Sequence, residues 1–219
     1  MRYNRKRRPR ATFAHTPHED TIMNSNQTTS PAIGEAYGGG FFAGLIRIGS
    51  STYGLIVAPK DGGEIVGEWG PHKAVDGALS FFDGHANTQA MANAGSDIAL
   101  WAYSLKIGDN SDWYIPSRDE LEVCYRNLKP TDDRNYCGSG DNPSAYLPSY
   151  AYSINTPAQT TAKAFRGAQA FDPVWHWTST QCAGYASDAW GQYFDDGSQD
   201  YDVKGYKGRV RAVRRFLID

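Results

Sequence analysis

The segment of residues 113–130, with the sequence WYIPSRDELEVCYRNLKP, places the strongest local constraint on how this chain folds. Ser117 followed by Glu120 forms a capping box, in which the Ser hydroxyl accepts a backbone N–H and the Glu carboxylate reaches back to the cap. Pro130 ends the helix, because proline cannot continue one. Apolar residues at three- and four-residue steps predict one buried stripe, formed by Leu121, Cys124, Tyr125 and Leu128.

A second helix is predicted upstream, in residues 87–108 with the sequence NTQAMANAGSDIALWAYSLKIG. Asn87 is a suitable N-cap, and Gly108 lies just past the expected end. Gly95 weakens the prediction by about 1 kcal/mol relative to alanine. The apolar face of this single amphipathic helix is formed by Met91, Ala94, Ile98, Trp101 and Leu105.

Segments rich in β-forming residues lie on both sides of the two helices. FFAGLIRI (41–48) and YGLIVA (53–58) are separated by GSST and predict a hairpin. Asp196-Gly197 is a turn signal between two further strands. Three strands are expected near the C-terminus: WHWTSTQ (175–181), AWGQYF (189–194) and RVRAVRRFLI (209–218). The order predicts an α+β fold, with two helices packed on small antiparallel sheets and long ordered loops.

Alternation along the 189–194 strand assigns its side chains to two faces. Trp190, Gln192 and Phe194 share one face, while Gly191 and Tyr193 share the other. We expect Trp190 and Phe194 to lie in the core and Tyr193 to point outward.

The charge of the chain is divided unevenly. Residues 1–10 carry six basic side chains and no acidic one, whereas the other 209 residues carry 16 basic and 24 acidic side chains, a net charge of −8. Phosphate repels a domain that acidic, so nucleic acid is not an expected partner. Residues 1–33 lack a hydrophobic period and are predicted to be a flexible tail or adaptor. Residues 34–219, including a hairpin at 38–64, form one predicted domain.

The cysteines do not predict a disulfide framework. Cys124, Cys137 and Cys182 are odd in number and lack metal-binding spacing, although pairing of Cys137 with Cys182 is conceivable. No stretch approaches 18 apolar residues, and the N-terminus lacks the apolar core of a signal peptide. We expect no metal or other cofactor, no membrane insertion, and synthesis in a reducing cytoplasm.

Four motifs in order make the chain resemble a known family. WYIPSRDEL, WHWTSTQ, AWGQYFDDG and RVRAVRR are similar to the C-terminal domain family of the Lcl collagen-like adhesin, over roughly residues 85–216. The block at 38–64 resembles the start of phage-encoded members, which are described as tail or virion proteins. The resemblance implies a C-type-lectin-like fold with adjacent N- and C-terminal strands. The calcium-binding motifs and long-range disulfides of sugar-binding C-type lectins are absent here, so calcium-dependent sugar recognition does not carry over.

The resemblance also points to a binding surface. In the related variable proteins of diversity-generating retroelements, the segment between the Trp-Thr-Ser-Thr strand and the terminal Arg-Val-Arg strand is the binding face. Here residues 184–208 mix Tyr with Ser, Gly and Asp, a composition typical of binding loops. An ordinary solvated hairpin is the alternative. The candidate ligand-binding residues are Tyr185, Asp188, Tyr193, Asp195, Gln199, Tyr201, Lys204 and Tyr206.

Other chemistries are weaker interpretations of the same residues. The acids of DDGSQDYD (195–202) could hold calcium, but their spacing differs from an EF-hand loop. His176 and Cys182 resemble a nucleophile–base pair, but nothing in the sequence orients them. Ser117, Arg118 and Asp119 also resemble reactive groups, but they lie at a helix start, where each has a structural role. The arginines of the last strand are expected to pair with acids across the sheet: Arg209, Arg211, Arg214 and Arg215.

These observations favour a non-enzymatic binding protein over an enzyme. The first hypothesis is a receptor-binding virion protein that attaches to other virion proteins through its N-terminal part and presents residues 184–206 to a host-surface glycan or protein. It would assemble in the host cytoplasm as a homo-oligomer, with a trimer one option. The alternatives are a capsid or tail decoration protein and an adhesin-type module on a bacterial surface. An enzyme of the formylglycine-generating type would need a matched cysteine pair that the sequence does not show.

Overall fold

The computed structural model describes residues 30–218; most of the predicted flexible tail, residues 1–29, lies outside this part. The helices are a single turn α1 (Lys60–Gly63), α2 (Gly84–Asn93), α3 (Asp97–Ser104) and α4 (Arg118–Leu128), with a 3-10 turn at Lys163–Arg166. The strands are β1 (Ala36–Tyr37), β2 (Gly40–Ile48), β3 (Ser51–Val57), β4 (Glu64–Glu68), β5 (Trp175–Gln181), β6 (Asp188–Tyr193), β7 (Gln199–Val203), β8 (Lys207–Arg211) and β9 (Val213–Leu217). The architecture is α+β, with two sheets and few helices.

The first sheet joins the beginning and end of the described chain. Its strand order is β1-β2-β3-β9, with antiparallel neighbours throughout. The predicted hairpin is confirmed as β2 and β3, with Ile48 paired to Ser51 across a two-residue turn. Gly44 lies at a register shift in β2, and a Cβ there would come within 2.8 Å of a Val123 methyl carbon. The glycine therefore allows α4 to pack closely on this sheet.

The second sheet has the strand order β4-β8-β5-β6-β7 and is mixed. The expectation of purely antiparallel sheets is wrong at one place, because β5 and β8 run parallel, with His176 opposite Arg209. The expected single strand at 209–218 is also wrong. The segment is divided at Ala212, whose N–H donates to Gly63 O, and continues as β9 in the other sheet. One segment therefore belongs to both sheets, because each half finds a different partner.

Helix α4 forms as its sequence predicts and packs against strands of both sheets. Ser117 Oγ accepts from Glu120 N at 3.4 Å, and Glu120 Oε2 accepts from Ser117 N at 2.8 Å, so the capping box is confirmed. The predicted stripe from Leu121 to Leu128 is fully buried.

The single helix predicted at residues 87–108 is wrong. The structure has two helices, α2 and α3, because Gly95 adopts a φ of +89° and turns the chain between them. Helix α2 also begins earlier than expected: Asp83 is the N-cap and accepts from Ala86 N at 3.1 Å. Asn87, the predicted cap, is instead buried, and its side chain forms hydrogen bonds with the loop at Ser80. The hydrophobic period continues through the break, so the pattern alone could not reveal it.

The prediction that the arginines of the last strands pair with acids across the sheet is confirmed for Arg209 and Arg211, whereas Arg214 and Arg215 pair with acids in loops. Arg209 and Arg211 both contact Glu64 on the neighbouring strand, at 2.9 and 3.2 Å. Arg214 pairs with Asp112 at 2.6 Å and Arg215 with Asp83 at 2.9 Å. These arginines are therefore engaged in holding strands and loops together. No helix within residues 30–218 is long and apolar enough to cross a membrane.

We predict that reductant leaves the melting temperature unchanged. Cys124 and Cys182 are buried as free thiols and Cys137 is an exposed free thiol, so the conceivable pairing of Cys137 with Cys182 is not formed. Thermal melts with and without dithiothreitol measure this directly. A drop of several degrees with reductant would show that a disulfide contributes to stability.

Candidate functional site

The register of β6 and β7 decides which side chains share a surface. Trp190 lies opposite Tyr201, and Gln192 lies opposite Gln199. Direct partners in an antiparallel pair point to the same side of the sheet. Tyr193 is the residue after Gln192, so it points to the opposite side of the sheet, where its ring centroid lies 5.1 Å from that of Trp175.

Four aromatic rings on the Trp190 side form a continuous series. Tyr185 stacks on Tyr201 at 5.5 Å, Tyr201 meets Trp190 edge-on at 5.4 Å, and Trp190 meets Phe81 at 6.0 Å. Tyr185 is 57% exposed, and Phe81 and Tyr201 are 39% and 38% exposed. We call this surface, with the Arg118 guanidinium, the aromatic face. The prediction that Trp190 lies in the core is wrong: it is only partly buried, and its ring is central to this face.

Arg118 lies between two rings of the aromatic face. Its guanidinium carbon is 4.8 Å from the Phe81 ring centroid and 5.0 Å from that of Trp190. Its Nη2 donates to Gln199 Oε1 at 3.1 Å, while its Nε is buried and has no partner among the described residues. Aromatic stacking and this hydrogen bond fix the orientation of the guanidinium before any ligand arrives.

The loop that carries Phe81 is held by buried polar contacts. Asn87 exchanges two hydrogen bonds with the backbone of Ser80, at 3.0 and 2.6 Å, and Thr180 Oγ1 donates to Ser80 O at 2.8 Å. Asp119 N, at the start of α4, donates to Phe81 O at 2.8 Å. The ring is therefore presented by a rigid backbone. The sequence did not single out Phe81, and the available signal was the cluster of Leu79, Phe81 and Phe82 in a loop.

Lys204 lies beneath the surface and supports the loop that carries Tyr185. It is fully buried, and its ammonium donates to Lys73 O, Gln181 Oε1 and Ala186 O at 2.6–2.7 Å. Its ammonium also lies 4.5 Å from the Trp69 ring centroid. Desolvation lowers the pKa of Lys204 to about 8. Its assignment as a ligand-binding residue is therefore wrong, because none of its donors is free.

The other predicted residues divide between different places. Gln199 and Asp188 lie on the side of the aromatic face, with Asp188 accepting from Ser187 Oγ at 2.7 Å. Tyr193 is 43% exposed but faces the opposite side, and Tyr206 is 64% exposed in the turn between β7 and β8. The predicted set thus contributes Tyr185, Tyr201, Gln199 and Asp188 to one surface, but not the other four residues.

The acids of residues 195–202 have local roles. Asp195 accepts from Asp196 N, Asp196 from Ser198 N, Asp200 from Tyr201 N and Asp202 from Val203 N, at 2.7–2.9 Å. Within residues 30–218, no group of three or more His, Cys, Asp or Glu side chains is arranged to hold a metal ion. Asp195 therefore stabilises the turn after β6 in this structure.

The groups that resemble catalytic residues have structural roles. His176 Nδ1 lies 2.9 Å from Val174 O, and the ring packs against Phe171 and Phe194 at 5.4 and 4.6 Å. Burial lowers the pKa of His176 to about 3. Asp119 accepts from Ser144 Oγ at 2.6 Å, and burial raises its pKa. Ser117 is the helix cap.

His176 predicts a loss of stability in mild acid. Its pKa in the folded state is about 3, below the ordinary 6.5, so the unfolded state binds more protons between these values. Stability is therefore lost as pH falls from 6.5, by up to about 1.4 kcal/mol per pH unit. His176→Phe should reduce this loss by roughly 1 kcal/mol between pH 6.5 and 5.5.

Urea unfolding of both proteins at the two pH values measures this difference. Val174 O remains satisfied in the variant, because it also accepts from Phe194 N at 3.1 Å. Burial raises the pKa values of Asp119, Glu120 and Glu122, so these carboxyl groups favour the folded state as pH falls, opposite to His176. Both proteins contain them, so their effect on stability cancels in the comparison. Equal losses in both proteins would show that His176 is not the acid-sensitive group.

An open depression of about 520 Å³ adjoins the aromatic face at Phe81. Its walls are mainly apolar, from Leu79, Phe82, Pro143 and Ala183, with Asp119 and Ser144 beside them. Leu79 and Phe82 are 49% and 44% exposed. The aromatic face thus continues into a shallow apolar recess, which extends the surface that a ligand could cover.

Comparison with known proteins places the chain in a family. No curated protein matches its sequence. A fimbrial protein from Bacteroides ovatus ATCC 8483 is similar in structure, with a TM-score of 0.43 and 12% identity; the match covers 73% of this chain and 35% of that chain. The present chain thus spans about a third of that protein's length. The model of the Lcl C-terminal domain matches residues 69–214, well over half of the sequence. The chain therefore belongs to the Lcl C-terminal domain family.

Proposed function

We propose that the protein is a non-enzymatic binding module whose aromatic face recognises a host-surface glycan or protein. The observation that carries the proposal is the continuous series of rings from Tyr185 to Phe81, partly exposed and held by rigid backbone contacts. Monomeric proteins rarely leave clustered aromatic rings exposed unless they contact a partner. Membership of the Lcl C-terminal domain family supports a binding role.

The chemistry of the face suits a ligand with both apolar surface and hydroxyl groups. Aromatic side chains provide a large contact area at a low cost in conformational entropy. The C–H face of a sugar ring can stack on Tyr185 or Tyr201, while Asp188 and the Arg118 guanidinium provide an acceptor and donors for hydroxyl groups. The acidic charge of the domain disfavours nucleic acid. We therefore favour a glycan over the protein alternative.

We also propose that the fold is C-type-lectin-like. The pairing of β3 with β9, which brings the first and last strands of the domain into one sheet, supports it. So does the position of α4 against both sheets. The calcium motifs of sugar-binding lectins are absent from the sequence, so we expect binding through the aromatic face to persist in chelator.

The structural roles of the polar groups support a function without catalysis. His176 is held neutral by burial, and Ser117 and Asp119 are engaged in the cap of α4 and in a contact to Ser144. We propose that the protein acts at a surface, either as part of a phage virion or as an adhesin-type module of a bacterial cell. Homo-oligomers would present several copies of a weak site together, which raises overall affinity.

A glycan array tests the proposal. The fluorescently labelled full chain is applied to immobilised bacterial and animal glycans, with and without EDTA. We expect retention on a restricted set of glycans, unchanged by EDTA. Retention on none would contradict the glycan proposal and favour an assembly contact of the decoration-protein type. Retention that EDTA abolishes would contradict calcium-independent recognition.

A further inference from the structure

The two edges of the five-stranded sheet differ in whether their outward backbone groups have hydrogen-bond partners. At the edge formed by β7, Tyr193 N donates to Ser198 O and Lys204 N donates to Ser187 O. Every second residue of an antiparallel strand directs its backbone groups to the neighbouring strand, so residues 198, 200, 202 and 204 face β6. The backbone N–H groups of Gln199, Tyr201 and Val203 therefore point away from β6. Side-chain oxygens satisfy each of these outward groups. Ser139 Oγ accepts from Gln199 N at 2.9 Å, and the preceding Asp accepts from Tyr201 N and from Val203 N at 2.8 and 2.7 Å. This edge is closed to another strand.

The edge formed by β4 is open. Ala212 N donates to Gly63 O, so the alternation directs the backbone of Ile65 and Gly67 toward β8. The N–H and C=O groups of Glu64, Val66 and Glu68 then point away from the sheet, and no group within residues 30–218 bonds them. Val66, at the centre of β4, is 54% exposed. A row of unpaired backbone groups at an edge is a template for a further strand.

A groove of about 470 Å³ runs beside this open edge. It lies between β4 and the start of α3, and Ile65 and Ile98 contribute its apolar lining. The exposed residues Glu68 and Asp97 also line it, together with Lys207. Alternation places the Glu68 side chain on the other face of β4 from Ile65 and Gly67, so Asp97 is the acid on the groove side. A strand added to β4 would direct alternate side chains into this groove, where the stems of long basic side chains can cover the isoleucines while their charges reach Asp97. Basic side chains on the other face of that strand would lie beside Glu68.

The charges on β4 select the occupant. If two copies paired by a two-fold axis at Val66, Glu68 of each copy would lie opposite Glu64 of the other, which already pairs with Arg209 and Arg211, so Glu68 would gain no opposite charge. A basic strand would supply that charge. The chain contains such a segment in residues 1–10, which carry six basic side chains and no acid, while the remaining residues have a net charge of −8.

The N-terminal segment is long enough to reach β4. It joins the described chain at Ser30, and Gly34 packs against Ala162 and Phe165. Close contacts connect this region with β4, because Arg209 contacts Asp172 at 2.7 Å and Glu64, the first residue of β4, at 2.9 Å. Twenty-nine extended residues span up to about 95 Å.

We propose that the open edge of β4 is a strand-acceptor site and that the basic N-terminal segment of the same chain, residues 1–29, fills it. Backbone hydrogen bonds to Val66 and Glu68 supply the affinity, and Glu68 and Asp97 select a basic sequence. Donation within the chain closes this edge of the sheet.

Hydrogen–deuterium exchange on the full chain tests the proposal. We expect the amides of Glu68 and of residues 2–8 to exchange at least tenfold more slowly than their intrinsic rates. Val66→Pro removes the central outward N–H and blocks strand addition, while edge strands tolerate proline. It should abolish protection in both segments. Val66→Ala, which keeps the N–H, is the matched control and should retain protection. Because the donor is the same chain, protection should not change with protein concentration; protection that disappears on dilution would overturn donation within the chain.

A second variant keeps the test decisive if Val66→Pro does not fold. Replacing Arg5, Lys6, Arg7 and Arg8 by Glu leaves β4 and its groove unchanged, and it should speed exchange at Glu68 at least tenfold. Intrinsic exchange rates at both segments of the parent chain would overturn the proposal. So would a protected Glu68 beside an unprotected N-terminal segment, or protection that survives both variants, since another occupant would then cover the edge.

Discussion

Phe194→Ala should lower the free energy of unfolding by about 3–5 kcal/mol, the usual cost of removing a buried aromatic ring from a packed core. Phe194 is completely buried just after β6. Its ring stacks on Phe171 at 4.2 Å and meets Tyr125 edge-on at 5.4 Å. It therefore joins the long loop before β5 to helix α4, and neither neighbour can fill the space without leaving its own contacts. Urea unfolding followed by tryptophan fluorescence measures the effect.

Tyr193→Ala is the matched control, because it truncates an aromatic ring one residue earlier. Tyr193 is 43% exposed and its one close ring contact is Trp175. An exposed aromatic pair contributes about 0.5–1.5 kcal/mol, so this variant should lose less than about 1.5 kcal/mol. Equal losses for the two variants would show that Phe194 is not a central element of the core.

Tyr201→Ala should weaken binding to a glycan identified on the array at least tenfold, which corresponds to about 1.4 kcal/mol. Tyr201 stacks on Tyr185 and meets Trp190 edge-on, so its ring lies in the middle of the aromatic face. Truncating such an anchor commonly costs 2 kcal/mol or more in binding free energy. Its 38% exposure means that the melting temperature should change little. Titration by surface plasmon resonance measures the affinity.

Tyr193→Ala serves as the control for binding as well. Its ring is exposed to a similar degree, but it lies on the other side of the same sheet. We expect its affinity to equal that of the parent protein. A variant that loses affinity equally at Tyr193 and Tyr201 would indicate that β6 and β7 are disturbed as a whole rather than that one face binds.

Elements with short-range signals were predictable from the sequence. The capping box at Ser117 fixes the start of α4 because its donor and acceptor are three residues apart. The β2–β3 hairpin, β5, β6 and the Asp196-Gly197 turn follow from alternation and turn residues, and Gly197 has a φ of +76°. Local chemistry determines these elements, so they could be inferred one segment at a time.

The predictions failed where a backbone turn or a distant contact overrides the local pattern. The hydrophobic period runs through Gly95 without a gap, yet its positive φ separates α2 from α3. The last strand is continuous in sequence but divides at Ala212, because the two halves pair with β4 and β3. The polar sequence around Lys204 is typical of a surface turn, and only the fold brings three oxygen acceptors to its ammonium.

The candidate site was only half predictable for the same reason. Tyr185 and Tyr201 lie in the segment that the family resemblance indicates. Phe81 and Arg118 come from distant parts of the chain, and the start of α4 and the Asn87 contacts bring them to Trp190. Alternation correctly separated Tyr193 from Trp190 but wrongly assigned Trp190 to the core, since periodicity does not reveal which side of an edge hairpin is covered.

Hydroxyl-radical footprinting with a bound glycan shows directly whether the aromatic face is the binding surface. Oxidation of each exposed ring is measured by mass spectrometry with and without the glycan. We expect reduced oxidation of Tyr185, Tyr201 and Phe81, and unchanged oxidation of Tyr193. Reduced oxidation of Tyr193 with unchanged Tyr185 and Tyr201 would contradict it, because the ligand would then occupy the opposite side of the sheet.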